Sequence, residues 1–318
     1  MKNITSNIEE LAPVVLFVYN RPGVTLQTLE HLKNNALADK SVLFIYSDGH
    51  KPGANEAEIR KVLTVREIIR KEKWCSEVFI IESPVNRGLA DSIINGVTEI
   101  VNRYGKIIVL EDDLLTSVHY LEYMNEALKR YAKCDKVFEI LGYNFPVKMR
   151  TREKAYFSIV SSCLGWGTWE RSWTKFDPSP NDYLRLSEDK QLRYKFDLDN
   201  SYPYSKMLKL QMEENVDSWA VRWWWTIFKN NGLTLFPSLT LISHIGFNPD
   251  ATHTKNEIKD FNKYFNINNK VTEYPSVINE DNIFYKKQKH FLNGIHKKSV
   301  FKKIIKLVRF ILKIFKII

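Results

Sequence analysis

The chain has 318 residues, of which 44% are hydrophobic and 26% are charged, and this balance is typical of a globular rather than a disordered protein. Its net charge is +10, but residues 297–318 carry eight basic side chains and no acidic one, which leaves +2 for the other 296 residues. Because the positive charge comes mostly from the tail, the basic composition does not predict nucleic-acid binding. The three cysteines match no zinc or disulfide spacing and indicate reduced thiols.

Apolar runs alternate with helical patterns in the first half of the chain. The predicted strands are 14–18, 41–46, about 78–81 and 106–110, with helices over about 24–34, 55–72 and 89–104 between them. This alternation predicts right-handed βαβ units and a parallel sheet. Polar residues follow every strand at one edge of that sheet, namely Tyr19–Arg21, Asp48, Asn86–Arg87 and Glu111–Asp113.

Three adjacent carboxylates, Glu111, Asp112 and Asp113, end the fourth strand and are called the acidic triplet below. Open parallel sheets bind ligands at this edge. Carboxylates that repel one another favour a hard divalent cation such as Mg²⁺ or Mn²⁺, which commonly bridges to a diphosphate. The alternative is that the acids begin a helix predicted over about 114–131, because negative charge is favourable at a helix N-terminus.

The second half of the chain is less regular and richer in aromatic residues. Strands are predicted at 137–141, 155–160 and about 233–242, helices around 204–214 and 219–229, and a turn at Gly165–Gly167. The sequence contains no internal repeat and no low-complexity linker before the tail. These features predict one continuous domain rather than two separate ones.

The motifs at the strand ends resemble those of a GT-A glycosyltransferase. They are Tyr-Asn-Arg-Pro after the first strand, Ser-Asp-Gly after the second, Asn-Arg-Gly-Leu-Ala after the third and Glu-Asp-Asp after the fourth. Over about residues 12–255 the pattern is similar to the inverting group around N-acetylglucosaminyltransferase I and its bacterial relatives. The resemblance implies an α/β, Rossmann-like fold with a mostly parallel sheet flanked by helices. It implies a catalytic domain over 1–280, with a nucleotide-sugar-binding half (about 1–135) and an acceptor-binding half (136–280).

The resemblance also implies a metal site. Glu-Asp-Asp matches the DxD-type motif of the family, so Asp113 would be the main ligand of Mn²⁺ or Mg²⁺, with Glu111 and Asp112 near the ribose and around the metal. Many GT-A enzymes place a late histidine on the metal or the diphosphate. His253 is the preferred candidate here and His244 the weaker one, and a surface histidine is the alternative for both.

Donor contacts are implied at the ends of the first three strands. Arg21 matches a family arginine that contacts the diphosphate, consistent with bidentate pairing. Asp48 matches an aspartate that accepts a hydrogen bond from the base, which favours uracil. The alternative for Arg21 is a surface arginine, and for Asp48 it is a turn residue. Asn86 and Arg87 fall where the family's loop borders the nucleotide, and the alternative is that they cap the following helix. The donor-binding set is Tyr19, Asn20, Arg21, Asp48, Asn86, Arg87, Glu111 and Asp112.

Two segments of the second half are implied to contact the transferred sugar and the acceptor. Gly165, Trp166 and Gly167 resemble a glycine-tryptophan loop, in which glycines permit close approach and tryptophan offers an apolar face. Trp219 is assigned to the same contact region. Packing of Trp166 in the core is the alternative.

The catalytic base is implied at Asp217. In the family an aspartate stands two positions before a tryptophan, as Asp217 stands before Trp219, whereas the neighbouring acid is replaced by Ser218. An inverting transfer needs one base to take the proton of the acceptor hydroxyl. Alternatively, Asp217 is the N-cap of the helix that follows.

The segment 281–318 is predicted to be a basic amphipathic tail. Basic side chains recur on one helical face at Lys302, Lys306, Arg309, Lys313 and Lys316, and apolar residues occupy the rest. This pattern favours a C-terminal amphipathic helix that lies on an anionic membrane surface. Docking on the body or on another subunit is the alternative. With no apolar run of the signal-peptide kind at the N-terminus, we expect a cytoplasmic protein on the inner face of the cell membrane.

The sequence therefore predicts a metal-dependent inverting glycosyltransferase, a hexosyl- or N-acetylhexosaminyltransferase. It would move a sugar from a nucleotide-sugar donor, with UDP favoured, to a hydroxyl of a glycan or lipid-linked glycan in cell-surface polysaccharide synthesis. The alternatives are a sugar-phosphate nucleotidyltransferase and a non-catalytic glycan-binding protein. The first usually has a glycine-rich phosphate loop after the first strand, where this chain has Tyr-Asn-Arg-Pro.

Overall fold

The computed structural model describes residues 11–246 and 261–297. The strands are β1 (Val14–Val18), β2 (Val42–Ser47), β3 (Glu77–Glu82), β4 (Lys106–Glu111), β5 (Leu114–Thr116), β6 (Val137–Leu141), β7 (Ala155–Ser158), β8 (Trp166–Trp169), β9 (Leu233–Pro237) and β10 (Ile242–His244). The helices are α1 (Pro22–Lys33), α2 (Glu56–Arg70), α3 (Leu89–Tyr104), α4 (Tyr120–Arg130), α5 (Glu170–Trp173), α6 (Arg185–Glu188), α7 (Lys190–Phe196), α8 (Tyr204–Met212) and α9 (Trp219–Lys229). Residues 282–297 are also helical.

Within these residues the core is an eight-stranded sheet with the order β3-β2-β1-β4-β8-β6-β9-β7. Six of its strands point the same way, and β7 and β8 run against them. Helices α1 to α3 connect the first four strands, as parallel neighbours require. The predicted fold class, an α/β Rossmann-like fold with a mostly parallel sheet flanked by helices, is confirmed.

The centre of the sheet is buried on both faces. All five residues of β1 are buried, and β1 pairs with β2 on one side and β4 on the other. Helix α3 packs an apolar face that includes Ile93, Val97 and Ile100. It ends at Gly105, whose φ of 75° is the left-handed conformation that terminates helices. These contacts fix the end of β4, where the acidic triplet lies.

The predicted turn at Gly165–Gly167 is wrong, because Trp166–Trp169 forms strand β8 in the middle of the sheet. Gly167 lies between Ile108 of β4 and Ile140 of β6. A Cβ on Gly167 would stand 2.9 Å from the carbonyl oxygen of Ile107, so glycine allows close packing here. A strand buried on both faces lacks the polar alternation that would have revealed it.

The acidic triplet does not begin a helix. Leu114–Thr116 forms β5, and the helix predicted over 114–131 begins only at Tyr120. Strand β5 pairs antiparallel with β10, and the register places His244 opposite Leu114. The strand predicted over 233–242 is therefore two strands, since β9 ends at Pro237 and β10 begins at Ile242.

The first part of the predicted tail packs on the body. In the helix over 282–297, Phe284 and Leu292 are buried, and Gln288 accepts a hydrogen bond from Ser158 Oγ at 2.6 Å. Residues 281–297 thus contribute to the core, and the rest of the tail, 298–318, lies outside the described residues. Within the described ranges, no helix is both long enough and apolar enough to cross a bilayer.

Candidate active site

The acidic triplet lies at the carboxyl end of β4, in the middle of the sheet. Glu111 is the last residue of the strand and pairs with Phe17 of β1. Asp112 and Asp113 follow in the turn to β5 and are 4% and 6% exposed. Two carboxylates at such depth need positive partners, because an uncompensated buried charge is strongly unfavourable.

Arg21 supplies positive charge to both aspartates. It follows β1 and stands at the N-cap position of α1. Its Nη1 donates to Asp113 Oδ2 at 2.8 Å, while Nη2 and Nε donate to the two carboxylate oxygens of Asp112. Burial opposes the charged guanidinium, but the charges of Asp112 and Asp113 outweigh it and raise the pKa of Arg21 above its usual value. A cation thus bridges the two carboxylates.

The end of β10 covers Asp113. His244 Nε2 lies 3.2 Å from Asp113 Oδ2, and the Ile245 amide donates to the Asp113 carbonyl at 2.9 Å. At Gly246, a Cβ would stand only 2.0 Å from Asp113 Oδ2, so this approach is open to glycine alone. No sequence pattern indicates Gly246 as a site residue, and the residue found beside Asp113 is His244, the weaker of the two histidine candidates. The β5–β10 pairing that brings both residues here joins distant segments and has no local sequence signal.

The three acids differ in their affinity for protons. Burial, followed by the charges of Asp113 and Asp112, raises the pKa of Glu111. Burial also raises the pKa of Asp112, against the attraction of Arg21. At Asp113 the effect of burial is outweighed by the hydrogen bond and charge of His244 and by Arg21, which lower its pKa. Negative charge is therefore held most firmly on Asp113.

Asp48 organises the loop after β3. Its Oδ1 accepts from the backbone amides of Gly49 and Arg87, both at 2.9 Å. Its Oδ2 accepts from Asn86 Nδ2 at 2.9 Å and from the Gly88 amide at 3.1 Å. Asn86 also donates to the Gly49 carbonyl at 2.8 Å. The carboxylate thus already accepts four hydrogen bonds, so the predicted hydrogen bond from a base would have to replace one of them.

The structure places the remaining predicted donor contacts at the same edge. Tyr19 and Asn20 are half-buried between β1 and Arg21, and the Tyr19 backbone forms a hydrogen bond with the Asp112 carboxylate. The side chain of Arg87 is exposed. The loops after β1, β3 and β4 therefore form one polar surface, as the parallel topology predicts.

Asp217 stands beside this surface. Its side chain is 63% exposed and lies 3.8 Å from Arg222 Nη2. Asp217 Oδ2 is also 3.8 Å from the point where a Cβ on Gly88 would stand. The N-cap of α9 is Ser218 rather than Asp217, so the capping alternative does not account for this aspartate.

The two tryptophans assigned to sugar contact are core residues. Trp166 is 1% exposed and Trp219 is 4% exposed, and their rings stack with centroids 5.1 Å apart. Trp173 and Trp223 also pack against Trp166, and we call these four side chains the tryptophan cluster. Because no ring face of Trp166 is open to solvent, the packing alternative holds for it.

Gly165, which is also predicted to contact the sugar, is packed against other residues of the protein. Its φ of 62° is left-handed, and a Cβ there would stand 2.8 Å from the Ile242 side chain. Its carbonyl accepts a hydrogen bond from the Gly142 amide at 2.6 Å. Gly165, like Gly167, is thus required by internal packing, whatever its relation to a sugar.

The protein side chains at the site would hold a hard divalent metal only together with ligands from a substrate. Among the described residues, no group of three or more His, Cys, Asp or Glu side chains is arranged to hold a metal ion. Asp113 offers a carboxylate, a ligand type that suits Mn²⁺ and Mg²⁺, and His244 offers an imidazole beside it. Ions of this kind commonly complete their ligands with water and substrate phosphates. The predicted ligand His253 lies outside the described residues.

The chain is similar to known proteins in its structure but matches none of them by sequence. No protein-family model and no curated protein matches the chain. The structure is similar to a mannosyltransferase from Pyrobaculum calidifontis in complex with GDP-Man and Mn²⁺, with a TM-score of 0.38 and 11% identity over 70% of this chain and 71% of that one. It is similar to mouse xyloside xylosyltransferase 1 in its apo form, with a TM-score of 0.36 and 12% identity over 72% and 84%.

A UDP-glucose pyrophosphorylase complexed with UDP-glucose is a third similar structure, with a TM-score of 0.31 and 14% identity over 54% of this chain and 82% of that one. Both enzyme classes weighed from the sequence are thus represented among the similar structures. At this distance the similarity does not assign a substrate or a reaction.

Proposed function

We propose that this protein is a metal-dependent glycosyltransferase that uses a nucleotide-sugar donor, with a UDP-sugar as the first candidate. The observation that carries the proposal is the convergence of Arg21, Asp112, Asp113 and His244 at the carboxyl edge of a parallel sheet. In such an arrangement the guanidinium can bind a diphosphate, while the neighbouring carboxylates hold the metal ion that bridges to it.

In this proposal Arg21 exchanges partners when the donor binds. Its guanidinium would turn from the aspartates to the diphosphate, and Asp113 with His244 would hold Mn²⁺ or Mg²⁺ in its place. A bound divalent metal would neutralise the diphosphate and stabilise it as a leaving group. Neither the carboxylates nor the arginine would then be left as an uncompensated buried charge, which is costly.

Asp217 is the proposed base of an inverting transfer. Its exposed carboxylate would accept the proton of the acceptor hydroxyl as that oxygen attacks the anomeric carbon. The bond from the anomeric carbon to the diphosphate breaks in the same step, so the products are the glycoside and the nucleoside diphosphate. Arg222, held by the Pro178 carbonyl at 2.9 Å, would keep the Asp217 carboxylate in position.

The decisive experiment measures nucleoside diphosphate release from a panel of UDP- and GDP-sugars with Mn²⁺. We expect metal-dependent turnover that Asp113→Ala abolishes and the exposed control Asp39→Ala retains. We expect Asp217→Asn to bind donor and lose transfer. Turnover that persists after EDTA treatment would contradict the metal mechanism, and UTP formation from UDP-glucose and pyrophosphate would identify a nucleotidyltransferase.

We further propose that the tail binds an anionic membrane surface and brings the enzyme to a glycan or lipid-linked glycan acceptor of cell-surface polysaccharide synthesis. The support is the charge of residues 298–318, which carry seven basic side chains and no acid. Replacing Lys306, Arg309 and Lys313 together by glutamate should abolish sedimentation with phosphatidylglycerol vesicles. Unchanged sedimentation would contradict this role of the tail.

A further inference from the structure

A cavity of about 300 Å³ lies next to the candidate active site. It is bounded by residues 161–164, the first turn of α9 and the end of the helix over 282–297. His244 lines the cavity, and its Nε2 lies 3.2 Å from Asp113 Oδ2. The cavity is thus separated from the acidic triplet by one imidazole ring.

Most of the wall of the cavity is apolar. No Asp, Glu, Asn, Gln, Lys or Arg side chain of the described residues lines it. A sugar ring enclosed here would meet no charged or amide side chain of the described residues, and each hydroxyl left without a hydrogen bond would cost about 1–3 kcal/mol. A hydrocarbon has no such groups to satisfy. The wall includes Phe145, Leu164, Met207, Trp223, Phe261 and Ile295.

A few hydroxyl-bearing residues interrupt the apolar wall of the cavity. Ser161, Ser162 and Ser218 are among the residues that line it. A few polar groups on an apolar wall commonly orient a ligand. An alkyl chain that ends in an ether or ester oxygen fits a wall of this composition.

We propose that this cavity binds the hydrocarbon chain of the acceptor, and that the acceptor is therefore a glycolipid or lipid-linked glycan. The inference rests on the proposed function and names the substrate class of the same site. A chain held in the cavity places its oxygen-linked head group toward His244 and Asp113. Ile295 lines the cavity and stands three residues before the basic segment 298–318 in the sequence, for which we propose the membrane contact.

The test uses n-alkyl β-D-glucosides from hexyl to nonyl as probes, below their micelle-forming concentrations, with the full-length protein and without metal or nucleotide. Tryptophan fluorescence reports binding, because Trp223 and Trp224 line the cavity. Each added methylene that enters the cavity should lower Kd about fourfold. Glucose should not bind. Affinity that is independent of chain length, or equal binding of glucose, would overturn the proposal.

Matched variants locate the binding. Ile295→Glu places a charge in the wall and should raise Kd for octyl glucoside at least tenfold. Ile283→Glu makes the same change on the same helix at a residue that is 66% exposed, and should leave Kd within twofold. Ala220→Phe, which fills the cavity from α9, is the second test should Ile295→Glu fail to fold. Unchanged affinity in either folded cavity variant would contradict the assignment.

The chain's own tail is the competing occupant. If the tail occupied the cavity, Phe310→Glu would weaken its binding there and lower Kd for octyl glucoside about tenfold. That result would overturn the proposal. We expect no change. These measurements need no donor turnover, so chain binding without turnover would refute only the proposed function. Turnover without chain binding would refute only the lipid acceptor.

Discussion

The two halves of the central sheet hold their side chains by different forces. At the ends of β1, β2 and β4, buried charges are held by ion pairs and hydrogen bonds, as in the bridge of Arg21 to Asp112 and Asp113. Around β8 and α9, stacked rings are held by close packing, as between Trp166 and Trp219. A change of charge should therefore disturb the first region most, and a change of volume the second.

Removing volume from the tryptophan cluster should give the largest effect. Trp166→Ala removes a fully buried ring and should lower the free energy of unfolding by about 4 kcal/mol in urea titrations. The control Leu184→Ala, at a side chain 54% exposed, should change it by less than about 0.5 kcal/mol. A loss below about 1 kcal/mol for Trp166→Ala would contradict the core assignment and reopen the sugar-contact prediction.

A single methyl group tests the geometry of the charged region. Gly246→Ala places a Cβ where it would overlap Asp113 Oδ2, so either the carboxylate or the end of β10 must move. Displacement of about 1 Å can reduce turnover about 100-fold, or about 2.7 kcal/mol. We expect this loss in donor hydrolysis, with unfolding little changed. Gly23→Ala, where nothing lies within 4 Å, is the control and should retain turnover.

Replacing the Asp48 carboxylate by an amide tests whether its first role is to hold the loop. In Asp48→Asn, an NH₂ group replaces one carboxylate oxygen and faces two N–H donors that now bond to that oxygen. The free energy of unfolding should therefore fall by about 2 kcal/mol. The exposed Asp39→Asn is the control. A fully stable Asp48→Asn that loses affinity only for the nucleotide would instead favour the predicted contact with the base.

The smallest expected effect concerns a buried acid in the second half. Burial raises the pKa of Glu139 to about 8, against hydrogen bonds from Ser161, Trp223 and Thr234 that favour the ionised form. The folded protein then holds a proton that the unfolded chain releases, so stability is present below the unfolded pKa and declines as pH rises toward 8. Between pH 7 and pH 8 the contribution of Glu139 to the free energy of unfolding should fall by about 1 kcal/mol.

Comparison of variants isolates this contribution of Glu139. Between pH 7 and pH 8, the decline in the free energy of unfolding should be about 1 kcal/mol smaller in Glu139→Gln than in wild type, whereas the exposed control Glu67→Gln should retain the full decline. An equal decline in wild type and Glu139→Gln would show that Glu139 is not the titrating group.

The charged region was largely predictable from the sequence because its signals are local. Each strand of the first half is a continuous apolar run, and each ends in polar residues at the edge that a parallel sheet shares. Helix α3 was predicted at its observed bounds, 89–104, and β1 at 14–18. The prediction that Arg21 and the acidic triplet belong to one site follows from the edge that the carboxyl ends of parallel strands share.

The aromatic region was less predictable because its structure depends on contacts distant in sequence. Strand β8 is antiparallel and contains Gly167, so neither periodicity nor propensity marks it. From a sequence alone, a sugar-binding role of Trp166 and Trp219 cannot be distinguished from packing in the core. His244 was ranked second because its position depends on the three-residue pairing of β10 with β5.

That short pairing has a consequence for folding. Strand β10 brings His244 and Gly246 to Asp113 through a ladder of three residue pairs, separate from the eight-stranded sheet. Local opening of so small a unit requires less free energy than global unfolding. In native-state hydrogen exchange, the amide of Ile245 should therefore exchange faster than those of β1 and β4. Local opening of β10 would thus expose Asp113 to solvent from time to time while the rest of the protein stays folded.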